Sequence, residues 1–444
     1  MALCGSVGAA ALPSELVVHI FSFLPERDRL RASAVCARWR ECLFYPALWS
    51  GLKLRARSGT PGATGRLEFL MRRFGGFARE LQLELDGAAQ AGHGEPELEE
   101  RWREEAACGY LEQVLCVLAH LRYKLTNLHH TFVFNQSTSK DGSTMQQLFE
   151  EILSNSRQLK WLSSSFMLGL VTPCSLATLS NPSAETLEHL SLLDGQLPSL
   201  VPTVELQRLV HLRSLSIDFC DFSSEMCRLL SASDRTPLHR LSLLLNGAAL
   251  EAKPLDGTAT EDDLKALVRR SANLRVYLMA LDVCSQDLLR VLKPSLPLER
   301  IHLDSFSTLV TDGVLELISQ QYHKTLSHFV LVRDDGGFPD LSMNRNEDPL
   351  VLMAWRCVHL TVLIIHDFLL SHPLFYSLLV SASFGHSWSL LIFLPQSALL
   401  NLLILVSLAF LDFSLGLFWP LPLLASLDFR LFWPLLISAS FGLS

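Results

Sequence analysis

The sequence is short of charge, and it lacks the compact motifs that mark a self-sufficient catalyst. Charged residues make up 18% of its 444 positions, with a formal net charge of −8 and a pI near 6.0. That balance leaves no basic footprint for nucleic acid, which calls for a strongly positive face. There are ten cysteines but no C-x-x-C pair: Cys36 and Cys42 are six apart, Cys220 and Cys227 seven apart. A zinc module or a RING needs ligands in close pairs, so both are excluded and no metal is expected. No H-E-x-x-H, P-loop or G-x-S-x-G occurs. Gly59, Gly62 and Gly65 repeat every third residue, with no strand before them to support a phosphate loop. His129 and His130 have no third ligand nearby. No cysteine sits in a setting that would make it a nucleophile. The start, Met-Ala-Leu-Cys-Gly, lacks a charged stretch, and its apolar run meets Pro13 too early for a signal peptide. The cysteines are therefore expected to be reduced, buried and intracellular, and no cofactor is expected.

What is present falls into three textures. After a small-residue leader, residues 1–11, expected to be disordered, comes a helical block. It opens Leu12-Pro13-Ser14-Glu15-Leu16, where proline suits a first turn and Glu15 suits the positive end of the helix dipole. Leu16, Ile20, Phe23 and Leu24 repeat at helical spacing beside Val17 and Phe21, and Pro25 ends the run. A second helix is expected from Glu26-Arg27-Asp28 with Leu30, Ala34 and Val35. A third would carry Cys36, Trp39, Leu43 and Phe44 and stop before Pro46, with Leu48 and Trp49 following. Three helices in so few residues make a very small core. Leu12, Leu16, Ile20, Leu24, Leu30, Val35 and Trp49 exceed what it can bury, so the block wants a partner. Pattern alone does not say which of these pack inward, and half of them could; Trp39 reads as core.

From about residue 65 to residue 366 the rhythm becomes Leu-x-x-Leu-x-Leu. Runs start at Leu187, Leu212, Leu238, Leu298, Leu326 and Leu360, with a weaker one, Leu274-x-x-Tyr277-x-Met279; successive starts are 25, 26, 36, 24, 28 and 34 residues apart. Leu81-Gln82-Leu83 and Leu125 to Phe134 read as worn earlier copies. Cys220 and Asn246 fall at the ninth position, where a side chain closes the strand's turn on backbone groups. Helical stretches are expected between strands at Glu225 to Leu230, Glu261 to Arg270, Ser285 to Leu292 and Asp312 to Gln320, and earlier at Leu111 to Leu121 and Met145 to Leu153. A strand followed by a helix, repeated at this period, stacks into a leucine-rich-repeat-like solenoid of α/β class. Gly87 to Glu105, Lys140 to Ser143, Arg333 to Pro339 and Met343 to Pro349 read as surface connections.

The last stretch, residues 367–444, departs from both rhythms. Residues 368–411 contain no Asp, Glu, Lys or Arg. Residues 389–411 are long enough to span a bilayer, but Pro395 interrupts them and no Lys or Arg cluster flanks them. The tail also repeats itself, LVSASFG at 379–385 and LISASFG at 436–442. Three readings stay open: an alternative or mis-assigned C-terminus, a membrane anchor, and an extension of the solenoid.

The helical block resembles an F-box. The matching residues are Leu12-Pro13-x-Glu15-Leu16, Ile20-Phe21-x-x-Leu24, Asp28-x-Leu30, Val35-Cys36-x-x-Trp39 and Pro46-x-Leu48-Trp49. Residues 12–366 as a whole resemble an F-box family with a leucine-rich-repeat-like region, most distinctively at Asp28 to Trp49, Gln147 to Leu162 and Asn344 to Cys357. The resemblance implies an F-box over residues 12–55 and a substrate-binding region over residues 65–366, whose contact residues it does not name. It implies docking on the adaptor Skp1 through Leu12, Pro13, Leu16, Ile20, Phe21, Leu24, Leu30, Val35, Cys36, Leu48 and Trp49, and through Skp1 an association with cullin-1 and a RING protein. The chain would then be a non-catalytic substrate receptor of a ubiquitin ligase, cytoplasmic or nuclear, working by proximity. A leucine-rich scaffold without a ubiquitination role, and a membrane-tethered adaptor using the tail, are the rival expectations.

Overall fold

The computed structural model describes residues 12–57, 63–86, 113–114, 116–119, 127–134, 141–167, 171–193, 200–252, 257–305, 310–333, 347–366, 389–393 and 404–407. The 1–11 leader, the stretch from Gly87 to Glu105, Gly59, Gly62 and most of the apolar tail lie outside these residues. The chain divides into two compact units, Met1–Leu187 and Glu188–Ser444.

The first unit begins with α1 (Ser14–Ser22), α2 (Glu26–Ser33) and α3 (Ala37–Cys42), followed by a 3-10 turn at Pro46–Leu48. Pro13 and Pro25 each stand one residue ahead of a helix, in extended backbone, rather than inside its first turn. A parallel ladder follows: β1 (Gly51–Arg57), β2 (Glu80–Asp86), β3 (Asn127–Phe134) and β4 (Trp161–Met167). The ladder starts at Gly51, inside the span read as F-box. The helices α4 (Ala63–Phe74), α5 (Asp141–Asn155) and α6 (Asn181–Thr186) complete the unit. Gly65 lies within α4, and of the Lys140 to Ser143 stretch expected as a loop, Asp141 to Ser143 are instead the first residues of α5, while Lys140 lies outside the described residues. His129 and His130 are consecutive residues of β3.

The second unit repeats one plan. Strands β5 (His189–Leu193), β6 (Ser214–Asp218), β7 (Arg240–Asn246), β8 (Arg275–Leu281), β9 (Leu298–Ser305), β10 (His328–Arg333) and β11 (Val362–His366) pair in parallel, each with its neighbour in sequence. Parallel neighbours need a crossover. It is supplied by α7 (Thr203–Leu206), α8 (Ser224–Leu230), α9 (Gly247–Ala252) with α10 (Glu261–Arg270), α11 (Ser285–Val291), α12 (Asp312–Gln321) and α13 (Glu347–Arg356). In the tail, β12 (Ser389–Phe393) adds to β11 in parallel and β13 (Ile404–Ser407) pairs antiparallel with β12. These described tail residues therefore continue the ladder. No helix among the described residues is long and apolar enough to cross a membrane.

The leucine positions align across strands as the repeat requires. Leu190, Leu215 and Leu241 form one row and Leu192, Ile217 and Leu243 the next, all almost fully buried. The reading of β8 needs correction. Val276 and Leu278, not Tyr277 and Met279, continue these rows, and Tyr277 pairs across from Ser242. Strand side chains alternate faces, so a shift of one residue flips the set. Both faces of β8 are buried, which left no polar residue in the sequence to mark the phase. Asn246 does turn its Oδ1 back to the Ala248 amide at 3.1 Å. Cys220 instead approaches the Asp221 carboxylate, 3.8 Å away.

Side chains brace one repeat to the next. The buried Arg235 guanidinium donates to the carbonyls of Leu206, Gln207 and Leu209 at 2.9, 3.4 and 2.6 Å. Arg270 does the same for Ala232, Ser233 and Arg235 at 3.3, 3.1 and 2.6 Å. Carbonyls at a helix end have no partner within the helix. A donor with several N–H groups satisfies several at once, and hydrogen bonds to a charged group contribute about 1.5–3 kcal/mol each. α10 carries a reciprocal cap between Thr260 and Asp263, and those bonds hold the Asp263 carboxyl down to about 2.

His302, on β9 between Met279 of β8 and Val330 of β10, is pushed down to about 4 by burial. Its unfolded pKa is near 6.5, so between pH 6.5 and 4 the unfolded chain binds the extra proton and stability falls as pH falls. Above pH 6.5 this contribution is fully present. We expect His302→Gln to reduce the stability difference between pH 7 and pH 5 by about 2 kcal/mol, because pH 5 lies about 1.5 below the unfolded pKa and still above the folded one. Chemical denaturation at the two pH values measures it.

Candidate protein-docking surface

The helical block buries one side of α1 and leaves the other apolar in solvent. Val17 and Phe21, one turn apart, are almost fully buried. Leu16, Ile20 and Phe23 follow one another at helical spacing on the opposite stripe, and they are 49, 46 and 76% exposed. A helix apolar on both stripes would ordinarily be buried all round, whereas among the described residues this one keeps its second stripe exposed. Val35, in the turn between α2 and α3, is 70% exposed. Pro13 is exposed at the head of α1, and its carbonyl accepts the Leu16 and Val17 amides at 3.1 Å. The His19 ring meets Phe23 edge-on, centroids 4.9 Å apart.

Of the residues expected on the adaptor face, Pro13, Leu16, Ile20 and Val35 are exposed, and Leu12, Leu24, Leu30 and Cys36 are half-buried. Phe21, Leu48 and Trp49 are core residues, at 1, 3 and 0% exposure. They pack inside the block. Phe23 was read only as part of the helix pattern, yet it is the most exposed apolar side chain of the three on its stripe. Its i, i+4, i+7 relation to Leu16 and Ile20 was the signal that could have marked it.

Two residues fix the stripe in place. Trp49 donates its indole N–H to the Leu43 carbonyl at 2.5 Å and stacks on Phe74 of α4, centroids 3.9 Å apart and planes 7° apart. Arg29 of α2 was missed altogether. Its guanidinium donates to the carbonyls of Phe21 at 3.0 Å and Leu24 at 2.7 Å, and to that of Leu48, and it lies 5.7 Å from the Trp49 ring centroid. One side chain thus ties the end of α1, the 3-10 turn and Trp49 together. Burial lowers the Arg29 pKa and nearby Glu26 opposes this; an arginine stays charged in such a site. Sequence reading had no signal for it, because an arginine on a charged helix resembles any solvated one. Trp39, expected in the core, is half-buried, with its ring edge-on to Phe21 at 5.6 Å.

The described cysteines are free thiols: Cys42, Cys227 and Cys357 are buried, whereas Cys174 and Cys284 are exposed. Burial pushes the Cys227 and Cys357 thiols up to about 12, the opposite of what a nucleophile needs.

Comparison with known proteins agrees with this geometry. A family model described as F-box-like matches residues 9–55. The chain is 52% identical over 415 residues to mouse F-box only protein 33, covering 83% of this chain and 74% of that protein. The human F-box only protein 33 gives 52% over 412 residues with the same coverage. A more distant likeness, 25% over 148 residues, reaches the bovine F-box/LRR-repeat protein 21, covering 32% of this chain and 31% of that protein.

Arg29→Met keeps the aliphatic stem and removes every donor, taking this partner from the Leu24 and Leu48 carbonyls and from that of Phe21, which keeps the Leu24 amide at 3.0 Å. With a loss of about 2 kcal/mol or more, amide hydrogen exchange across residues 14–24 should quicken by roughly thirtyfold. Arg29→Lys, which has no fork, should restore only part of the protection.

Proposed function

The chain belongs to the F-box only protein 33 family, and from that premise we propose that it is a substrate-receptor subunit of a ubiquitin ligase assembled on Skp1 and cullin-1. The observation that carries this reading is the exposed apolar stripe Leu16, Ile20 and Phe23 within the F-box-like region. An F-box is a small helical unit that completes its core on Skp1. Burying a Leu, Ile or Phe side chain is worth roughly 1.5–3 kcal/mol, so three of them, with Pro13 and Val35 beside them in the block, supply a docking energy of the right order.

The rest of the chain then presents the substrate. Strand, helix and strand repeat in register from β5 to β11 at leucine-rich spacing, and we read this as a leucine-rich-repeat-like solenoid. Its contribution to ubiquitination is proximity, with the chemistry performed by the conjugating enzyme and the RING subunit. Such a receptor would work in the cytoplasm or nucleus.

Leu16→Glu with Ile20→Glu alters only exposed positions, so the protein should fold and melt as before. Skp1 capture from purified components should weaken by about a hundredfold or more, as loss of at least 3 kcal/mol implies. Undiminished capture by a folded double variant would sink the assignment of this stripe.

A further inference from the structure

The rows of β6 to β10 that alternate with the leucine rows have a different chemistry: Ser242 and Tyr277 are buried in them, Arg240 and Arg300 half-buried and Arg275 exposed. Arg240 of β7 and Arg275 of β8 are register partners. Ser242, Tyr277, Arg300 and His328 form the adjoining row across β7, β8, β9 and β10. Tyr277 lies between two guanidiniums: the Arg240 carbon is 5.2 Å and the Arg300 carbon 4.7 Å from its ring centroid. Arg213 stands immediately before β6, 3.5 Å from Glu188, and Arg275 is 3.3 Å from Glu299. Glu299 also lies 4.0 Å from Arg300. Four guanidiniums and the carboxylates of Glu188 and Glu299 thus gather at the start of these strands, with the buried Asp218 of β6 and Asp304 of β9 further along the same face, in a chain whose overall charge is negative. His328 is depressed to about 4 by burial and then by Arg300, and His189 is lowered by burial, with Arg240 and Arg213 adding to that against Glu188.

We infer that this arginine–tyrosine row of the second unit is the recognition surface for an acidic segment of a protein partner, carboxylate or phosphate bearing. The inference rests on the receptor reading above and names the substrate class for it. Three arguments support it. The parallel ladder sets equivalent positions about 4.8 Å apart, so the run from β6 to β10 spans roughly 19 Å. That matches about six residues of extended chain at 3.3 Å each, too short a track for most nucleic-acid sites. Stacking on Tyr277 fixes the Arg240 and Arg300 planes before a ligand arrives, which lowers the ordering cost of binding. Planar guanidiniums also match the two oxygens of a carboxylate or phosphate better than a point charge does.

The test uses the full chain with Skp1 and three fluorescent peptides: a glutamate-rich one, its glutamine counterpart and one carrying phosphoserines. The glutamate or the phosphoserine peptide should bind, the glutamine peptide should not, and added salt should weaken the complex. The tighter of the first two identifies the anion, and either supports the inference. Arg240→Gln with Arg300→Gln should weaken binding at least about tenfold. Arg213→Gln with Arg275→Gln, at positions whose side chains are more than half exposed, should do likewise without disturbing the stack. Equal binding of the glutamine peptide, unchanged affinity in both double variants, or tighter binding of a uridine oligonucleotide overturns the inference. Skp1 capture by the same samples separates the two ideas: peptide binding lost with capture retained by the parent chain defeats only this inference, whereas absence of capture defeats the receptor reading itself.

Discussion

The helical block depends on one junction, where the Trp49 ring is held from every side. Its N–H is bound to the Leu43 carbonyl, one face is stacked on Phe74 of α4, and the Arg29 guanidinium lies nearby. The same Arg29 binds the carbonyls that end α1. A tryptophan buries a large apolar area but must also pair its N–H when it leaves water. The fold meets both needs at one place, and so fixes where α1 presents its second apolar stripe. A block this small has too few internal contacts to orient three helices by packing alone, so a polar tie at the centre decides the orientation.

The two units use the same device, each within itself. In the block, Arg29 satisfies helix-end carbonyls from two elements. In the second unit, Arg235 and Arg270 satisfy the carbonyls of the preceding repeat. Each arginine couples neighbouring turns through their backbone carbonyls. The leucine rows supply burial without direction, and the arginines supply the register. A separate set, Arg240, Arg275 and Arg300, stands on the rows that alternate with the leucine rows. The braces meet backbone carbonyls, whereas these arginines meet an aromatic ring or carboxylates.

Much of this was legible in the residues. Helix limits came out close because their signals are local: Glu261 to Arg270 matches α10, Ser285 to Leu292 overruns α11 by one residue, and Glu225 to Leu230 falls one short of α8. β2 and β3 were seen as worn repeats, Leu81-Gln82-Leu83 and Leu125 to Phe134. β1 and β4 were not seen, since Leu-Lys-Leu and Trp-Leu-Ser-Ser-Ser carry alternation too brief to separate from a loop. β8 was read out of phase because apolar residues fill both of its faces.

The F-box-like spacing, the leucine period and the absence of close metal-ligand pairs belonged to the sequence alone, because each is a matter of residue type at fixed intervals along one chain. The division of the block's apolar residues was not. Leu16 and Phe21 are equally hydrophobic on paper, and only the packing of α1 against its neighbours turns Phe21 inward and leaves Leu16, Ile20 and Phe23 in solvent. Arg29 likewise became visible only in three dimensions, since its partners at Phe21, Leu24 and Leu48 lie up to nineteen residues away. Sequence spacing sets what a residue can reach along its own element. The side that faces water is set by what the other elements cover, and that is decided when the chain folds.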